Sequence, residues 1–305
     1  MKVYAKSEEV RNALNIRTGN DIVFTNQISE AEIVVSGNLL EADVHDGIKA
    51  LIIPFVGYNR VDLDMLIKHE IALFNTQVNG VFVAERALGL SLNLLGKIVR
   101  DHQQLQNNMW STYESPSEWT SLRKMKVGLL GYGVIGRALH DMMKPFEITA
   151  YTIDRKKEYC DIILVDSVEK LVDSVDILFV QVPLNDGTEG MIDSKILQRM
   201  KDKFLINVGR GKVIDEDALY QVLKDGTLKG FASDVWYQYP KKRTEKKAPT
   251  KYPICEMDHV VCTSHSAGNV AGIDELTFDD VARRINDISE GNFEEKIQLR
   301  KEDKK

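Results

Sequence analysis

The chain has 305 residues, enough for two domains and for a core that needs neither disulfides nor metal to hold it. With 40 Lys plus Arg against 46 Asp plus Glu the net charge is −6, so no basic field exists to hold nucleic acid or an anionic membrane. Cys160, Cys255 and Cys262 are odd in number and lack a CxxC spacing, which excludes a disulfide framework or zinc site and implies thiols in a reducing compartment.

The N-terminal MKVYAKSEEV places charge where a signal peptide needs its apolar stretch. Short Val/Ile/Phe runs at 3–5, 22–24, 33–36, 51–56 and 71–74 alternate with amphipathic stretches, the pattern of βαβ units around a parallel sheet. From about 79 to 107 the spacing of Phe82, Leu88, Leu92, Leu95 and Val99 predicts one long helix with no proline to stop it. Its most lipid-like part, 87–96, has about half the length a bilayer requires, and the expectation is a soluble, cytoplasmic protein. Residues 108–124, with two tryptophans and little periodicity, read as an arm or linker. A second βα series begins at Met125, with strands near 126–130, 148–151, 177–182, 204–208, 230–234 and 260–263, the count of a doubly wound dinucleotide-binding domain. A last helix is expected near 274–286. The charge run KKRTEKK at 241–247 reads as a solvated loop.

The strongest motif is KVGLLGYGVIG, a GxGxxG made by Gly131, Gly133 and Gly136 with Tyr132, Val134 and Ile135 between them. Gly131 permits the tight turn, Gly133 lets backbone approach a pyrophosphate, and Gly136 lets helix pack close to strand, while the helix N-terminus offers N–H groups to the phosphates. Asp154, 18 residues after Gly136, is placed to hold the adenosine ribose hydroxyls and would favour NAD. Arg155, Lys156 and Lys157 follow at once. If the turn is one or two residues shorter, Thr152 takes the acid's place and the cations face a 2′-phosphate, so NADP stays open.

The run INVGRGKVIDEDALYQVLKDGTLKGFASDVW resembles the arginine-bearing signature of the D-isomer-specific 2-hydroxyacid dehydrogenases, and CTSHSAGN resembles their histidine signature. PFVGYNRVDL, NTQVNGVFVAE and VPLNDGTEGMI are similar to further loops of that family, whose members include glycerate, glyoxylate and phosphoglycerate dehydrogenases. The match runs over about residues 50–270. It implies an α/β protein of two Rossmann-like or flavodoxin-like domains, with a discontinuous substrate domain (1–98 plus 270–305) and an NAD(P)-binding Rossmann domain (99–269). It implies hydride transfer between NAD(P) and a small 2-oxo or D-2-hydroxy acid, with a homodimer formed through the cofactor domain and the 110–119 arm as a contact. The chain ends too soon for the regulatory domain of the longer phosphoglycerate dehydrogenases.

The resemblance assigns Arg210 to the substrate carboxylate, which a guanidinium grips with two parallel hydrogen bonds. It assigns His265, whose near-neutral pKa suits proton delivery to a carbonyl oxygen, to acid–base chemistry and the cofactor's edge. Val56 and Gly57 would offer backbone N–H groups to the carboxylate, supported by Asn79. Val182, Pro183, Thr188, Val208, Gly209 and Asp234 would line the cofactor, Asp234 near the nicotinamide carboxamide. Tyr239, 29 residues beyond Arg210, stands where most of the family carries a glutamate beside the histidine. A phenol brings no negative charge at pH 7, though Glu245, Glu256 or Asp258 could substitute if the loop folds back. Formate dehydrogenases of the superfamily also lack this glutamate. Ser264 replaces the usual proline before the histidine. The alternative is a dinucleotide-binding protein whose catalysis has weakened, acting as a redox-sensitive regulator or partner.

Overall fold

Two parallel sheets carry the short Val/Ile/Phe runs of the sequence, while the apolar stretch 87–96 lies in a helix. The structure, a computed structural model, describes residues 1–58, 61–110, 118–153, 161–242 and 244–299. In chain order the first elements are β1 (Lys2–Ala5), α1 (Glu8–Asn15), β2 (Val23–Thr25), β3 (Ile33–Val35), β4 (Ala50–Ile53), α2 (Leu63–Lys68) and β5 (Ala72–Asn75). Next come α3 (Gly80–Gly96) and α4 (Ile98–Gln106). The second series is β6 (Lys126–Leu130), α5 (Val134–Met143), β7 (Thr149–Thr152), β8 (Ile163–Leu164), α6 (Val168–Ser174), β9 (Ile177–Val180), α7 (Ser194–Arg199), β10 (Phe204–Asn207), α8 (Glu216–Lys224), β11 (Gly230–Ser233) and β12 (Val260–Cys262), and α9 (Ile273–Ser289) closes the chain.

The chain divides into two compact units, Met1–Gly80 with Asn269–Lys305, and Val81–Gly268. In the first, five parallel strands run in the order β2-β1-β3-β4-β5, the flavodoxin-like arrangement. One core of this unit joins Val3, Ala5, Ile33, Ile52 and Phe74 to Val281, Ala282, Ile285 and Ile288 of α9. Arg17 pairs with Glu275 and Asp279, reinforcing that seat at the surface.

In the second unit seven parallel strands run in the order β12-β11-β10-β9-β6-β7-β8. The order reverses between β6 and β9, the point at which open α/β sheets bind ligands beyond the strands' carboxyl ends. β9 is fully buried at all four positions because both sheet faces are covered, which is why it reads as an unbroken apolar run. Leu178 and Val180 face one core with Leu205 and Phe231, while Ile177 and Phe179 face the other with Ala84, Ala87 and Leu90 of α3. Burying a side chain such as Phe179 contributes roughly 1.5–3 kcal/mol.

Three expectations need correction. The helix predicted over 79–107 is two helices, because Lys97 adopts left-handed backbone (φ 53°) directly after Gly96. β8 is a seventh strand, two exposed residues long and too short to leave a pattern. Cys255 and Cys262 are joined as a disulfide, since the loop after the 3₁₀ turn Ile254–Glu256 folds back along β12 and brings their Cα atoms to 5.9 Å. Residues 111–117 of the proposed arm lie outside the described residues, as does Cys160.

Candidate active site

The glycine fingerprint follows β6 at the reversal point. Gly131 has φ +104°, a conformation side chains rarely adopt, and a Cβ there would press on the Gln181–Val182 backbone at 3.2 Å. A Cβ at Gly136 would meet the Gly131 carbonyl oxygen at 2.3 Å, so the first turn of α5 can lie against the strand end only without one. At Gly133, the N-cap of α5, a Cβ would meet nothing within 4 Å. That open space, beside the N–H groups that begin α5, fits a pyrophosphate. The Gln181 amide donates to the Gly131 carbonyl at 2.8 Å and pins the turn.

Val134 and Ile135 are half-buried at the start of α5, and the Tyr132 hydroxyl bonds His140 Nδ1 at 2.7 Å. Thr152 is buried and donates its hydroxyl to the Leu129 carbonyl at 2.7 Å, which removes it as a stand-in for the ribose-binding acid. Asp154 and Arg155 lie outside the described residues. After β9, Val182 and Pro183 lead into a turn tied by Thr188, whose hydroxyl donates to the Pro183 carbonyl at 2.6 Å and accepts from the Asn185 N–H at 2.9 Å.

Arg210 follows β10 through Val208 and Gly209. The turn is clipped by buried Asn207, whose amide donates to the Arg210 carbonyl at 3.1 Å and whose carbonyl oxygen accepts from the Gly209 N–H at 3.1 Å. The guanidinium donates to the Gly209 carbonyl at 2.7 Å, and partial burial holds its pKa below the ordinary arginine value. Desolvation strengthens whatever charge pairing it makes.

His265 sits three residues beyond β12 with left-handed backbone, φ +56°, unusual for a residue with a side chain. Asp234 over-determines that turn. Its carboxylate is 1% exposed and accepts from the Thr263 hydroxyl at 2.5 Å, the Ser266 N–H at 3.1 Å and the Ala267 N–H at 2.9 Å. The Trp236 indole N–H adds a bond to the Thr263 carbonyl at 2.7 Å. Desolvation, then the Arg210 cation, lowers the His265 pKa from its usual value, with Asp234 opposing.

The Tyr239 ring packs against the imidazole, centroids 5.3 Å apart and planes tilted by 50°. Its hydroxyl accepts the Trp236 N–H at 2.9 Å, and burial raises its pKa, so it stays neutral at pH 7. None of the proposed substitute acids takes the glutamate's place. Glu245 accepts from the Lys241 N–H at 2.6 Å, while Glu256 and Asp258 line a cavity whose lining does not include His265. The only carboxylate that acts electrostatically on His265 among the described residues is Asp234.

In the first unit Val56 and Gly57 lie in the loop after β4, and buried Asn75 donates to the Val56 carbonyl at 2.6 Å. Asn79, just ahead of α3, has a buried side-chain oxygen without a hydrogen-bond partner among the described residues. Asn75, Gln181 and Asn207 were not singled out in the sequence. Each acts through side-chain bonds to backbone, one for Asn75 and Gln181 and two for Asn207, which no spacing announces.

A doubly wound sheet with a glycine fingerprint at its reversal point, and an arginine and a histidine beyond the ends of two strands on one side of it, defines a dinucleotide-binding α/β protein. Residues 88–267 match the family D-isomer specific 2-hydroxyacid dehydrogenase, NAD binding domain, and the chain belongs to that family. The D-3-phosphoglycerate dehydrogenase of Haemophilus influenzae is 32% identical over 224 residues, 72% of this chain and 53% of that protein. The formate dehydrogenase of Pseudomonas sp. is 27% identical over 273 residues, 83% of this chain and 65% of that protein. The chain thus spans about half to two-thirds of these curated relatives. The solved D-lactate dehydrogenase of Aquifex aeolicus, complexed with NAD and lactic acid, superposes with TM-score 0.79 at 23% identity and 97% coverage of both chains, a likeness of fold. No helix among the described residues is long and apolar enough to cross a membrane.

Proposed function

We propose that the protein is an NAD(P)-dependent oxidoreductase interconverting a small 2-oxo acid and the corresponding D-2-hydroxy acid. The observation that carries this reading is the placing of Arg210 and His265 just beyond the carboxyl ends of β10 and β12, in the sheet whose β6 end holds the glycine cradle. A bound nicotinamide dinucleotide supplies or accepts the hydride. Arg210 binds the substrate carboxylate bidentately, its partial burial favouring an anion over water. His265 Nδ1 or Nε2 delivers a proton to the carbonyl oxygen in reduction and withdraws it in oxidation. Asp234 positions the histidine's turn, and Tyr239 limits the ring's motion without lending it negative charge. Val56 and Gly57 are proposed as the substrate-side loop, with Asn79 supporting it.

Asp154 is the proposed reader of the ribose hydroxyls, which favours NAD, and burial of Thr152 supports the longer turn this needs. The working assembly is proposed as a cytoplasmic homodimer. Exposed Met109, Trp110 and Trp119, at 55, 75 and 64%, support a contact at the arm. The test is a panel of glyoxylate, hydroxypyruvate, pyruvate and phenylpyruvate, each with NADH and with NADPH. Turnover of at least one, faster with NADH, is expected. Tight NADH binding with no turnover across the panel would overturn the enzymatic reading and leave the dinucleotide-binding regulator.

A further inference from the structure

β12 is the edge strand of its sheet, three residues long and paired on one side only, to β11. At its last residue, Cys262, it is bonded to Cys255 in the preceding 3₁₀ turn. The next residue, Thr263, begins the turn that Asp234 and Trp236 hold and that carries His265. The disulfide is therefore a covalent brace placed directly before the turn, on a strand held by one neighbour and by the burial of Val260.

Cys255 is exposed and Cys262 half-buried, and both line a cavity of about 670 Å³. Lys97, Arg100 and Lys229 share its wall with Glu118, Glu256 and Asp258. Also on that wall, Arg100 Nε and His259 Nε2 are buried without a hydrogen-bond partner among the described residues. A cavity of this size has room for a small thiol bearing carboxylates, with the two unsatisfied nitrogens as donors to one of them. Accessible disulfides closing short loops are the exchangeable kind, whereas buried framework bridges resist reduction.

We propose that Cys255 and Cys262 form a reversible redox-modification site, read by a low-molecular-weight carboxylated thiol, whose state sets the order of β12 and of the turn after it. The thiolate of the small thiol attacks Cys255 Sγ, the Cys255–Cys262 bond breaks, and Cys262 leaves as a thiolate that takes up a proton. A second small thiol attacks the mixed disulfide, releases Cys255 as a thiol, and carries away both electrons' worth of oxidation as the small-molecule disulfide. Oxidation runs the same exchange in reverse. None of this depends on the proposed activity.

The test uses the whole protein equilibrated with reduced and oxidised glutathione at defined ratios, quenched by alkylation and read by peptide mass and by amide hydrogen exchange. The peptide spanning 255–262 is expected to convert between disulfide and doubly alkylated forms within the glutathione range. Exchange at residues 260–267 is expected to accelerate at least threefold on reduction. Cys255→Ser should show the fast exchange at every ratio, and Cys160→Ser should respond like the unaltered protein. A bridge that neither forms nor opens across the range overturns the proposal, and so does exchange at 260–267 that ignores a bridge which does open.

Discussion

The three fingerprint glycines make opposite demands, which a pair of alanine substitutions separates. At Gly133 the backbone is extended (φ −80°, ψ −153°) and an added Cβ meets nothing within 4 Å, so Gly133→Ala should change folding stability by no more than about 0.5 kcal/mol. Its methyl group instead occupies the space assigned to a phosphate. Losing one charge-assisted hydrogen bond there is worth about 1.5–3 kcal/mol, and NADH affinity should fall at least tenfold. At Gly136 the added Cβ lies 2.3 Å from a backbone carbonyl oxygen that no rotamer change can move. Overpacking of this kind costs about 1–3 kcal/mol or more, against up to ~1 kcal/mol gained in helix propensity. A net loss near 2 kcal/mol corresponds to a fall of about 4–8 °C in Tm for a unit of this size. Fluorescence titration of NADH and thermal unfolding, run on both variants, give the two readouts. Native NADH affinity in a folded Gly133→Ala protein would refute the cradle.

Arg210→Lys keeps the charge and loses the planar fork, so kcat/KM for the oxo acid should drop more than tenfold while NADH affinity holds; steady-state kinetics beside the NADH titration decide it. Reduction needs His265 protonated in the free enzyme. Because its pKa is lowered from the usual 6.5, kcat/KM for reduction should decline with rising pH from below that value, and kcat/KM for oxidation should rise over the same range. Tyr239→Glu puts a carboxylate against the ring, which favours imidazolium, so the descending limb should move to higher pH; an unmoved limb in a variant whose structure shows that contact removes the histidine from the mechanism. Asp234→Ala leaves one hydroxyl and two buried N–H donors without their acceptor, and thermal unfolding should show a loss of about 3 kcal/mol, roughly 6–12 °C in Tm.

The strands of the second unit were legible because burial on both faces leaves continuous apolar runs such as Ile177–Val180, and the fingerprint was legible because its glycines answer to sterics that recur wherever backbone meets phosphate. Arg210 and His265 are legible through motifs, and the structure adds the Asp234 bonds that hold the histidine's turn. What sequence did not show was contingent on chain reversal. The Cys255–Cys262 bond depends on a turn that doubles back on β12, and seven residues of separation say nothing about it. The break at Lys97 has no proline to mark it, only a lysine in a conformation that glycine normally takes. Asn207 and Asn75 fasten loops by side-chain bonds to backbone, and an asparagine doing so looks like any other.

The seat of α9 in the core of the first unit sets an order of events during synthesis. β5 leaves the ribosome roughly 200 residues ahead of α9, an interval of about 10–40 s at ordinary elongation rates. Throughout it, the sheet face carrying Val3, Ile33, Ile52 and Phe74 has Val10 and Leu14 of α1 against it but lacks Val281, Ala282, Ile285 and Ile288 of α9. The 81–268 unit is contiguous and can complete itself in that time. The portion made first is thus the portion finished last, and a nascent chain halted before Ile273 presents a half-covered apolar sheet to chaperones. Such a truncation should be recovered as aggregate, whereas moving residues 269–305 ahead of Met1 by circular permutation would let the same sheet close before the inner unit is made.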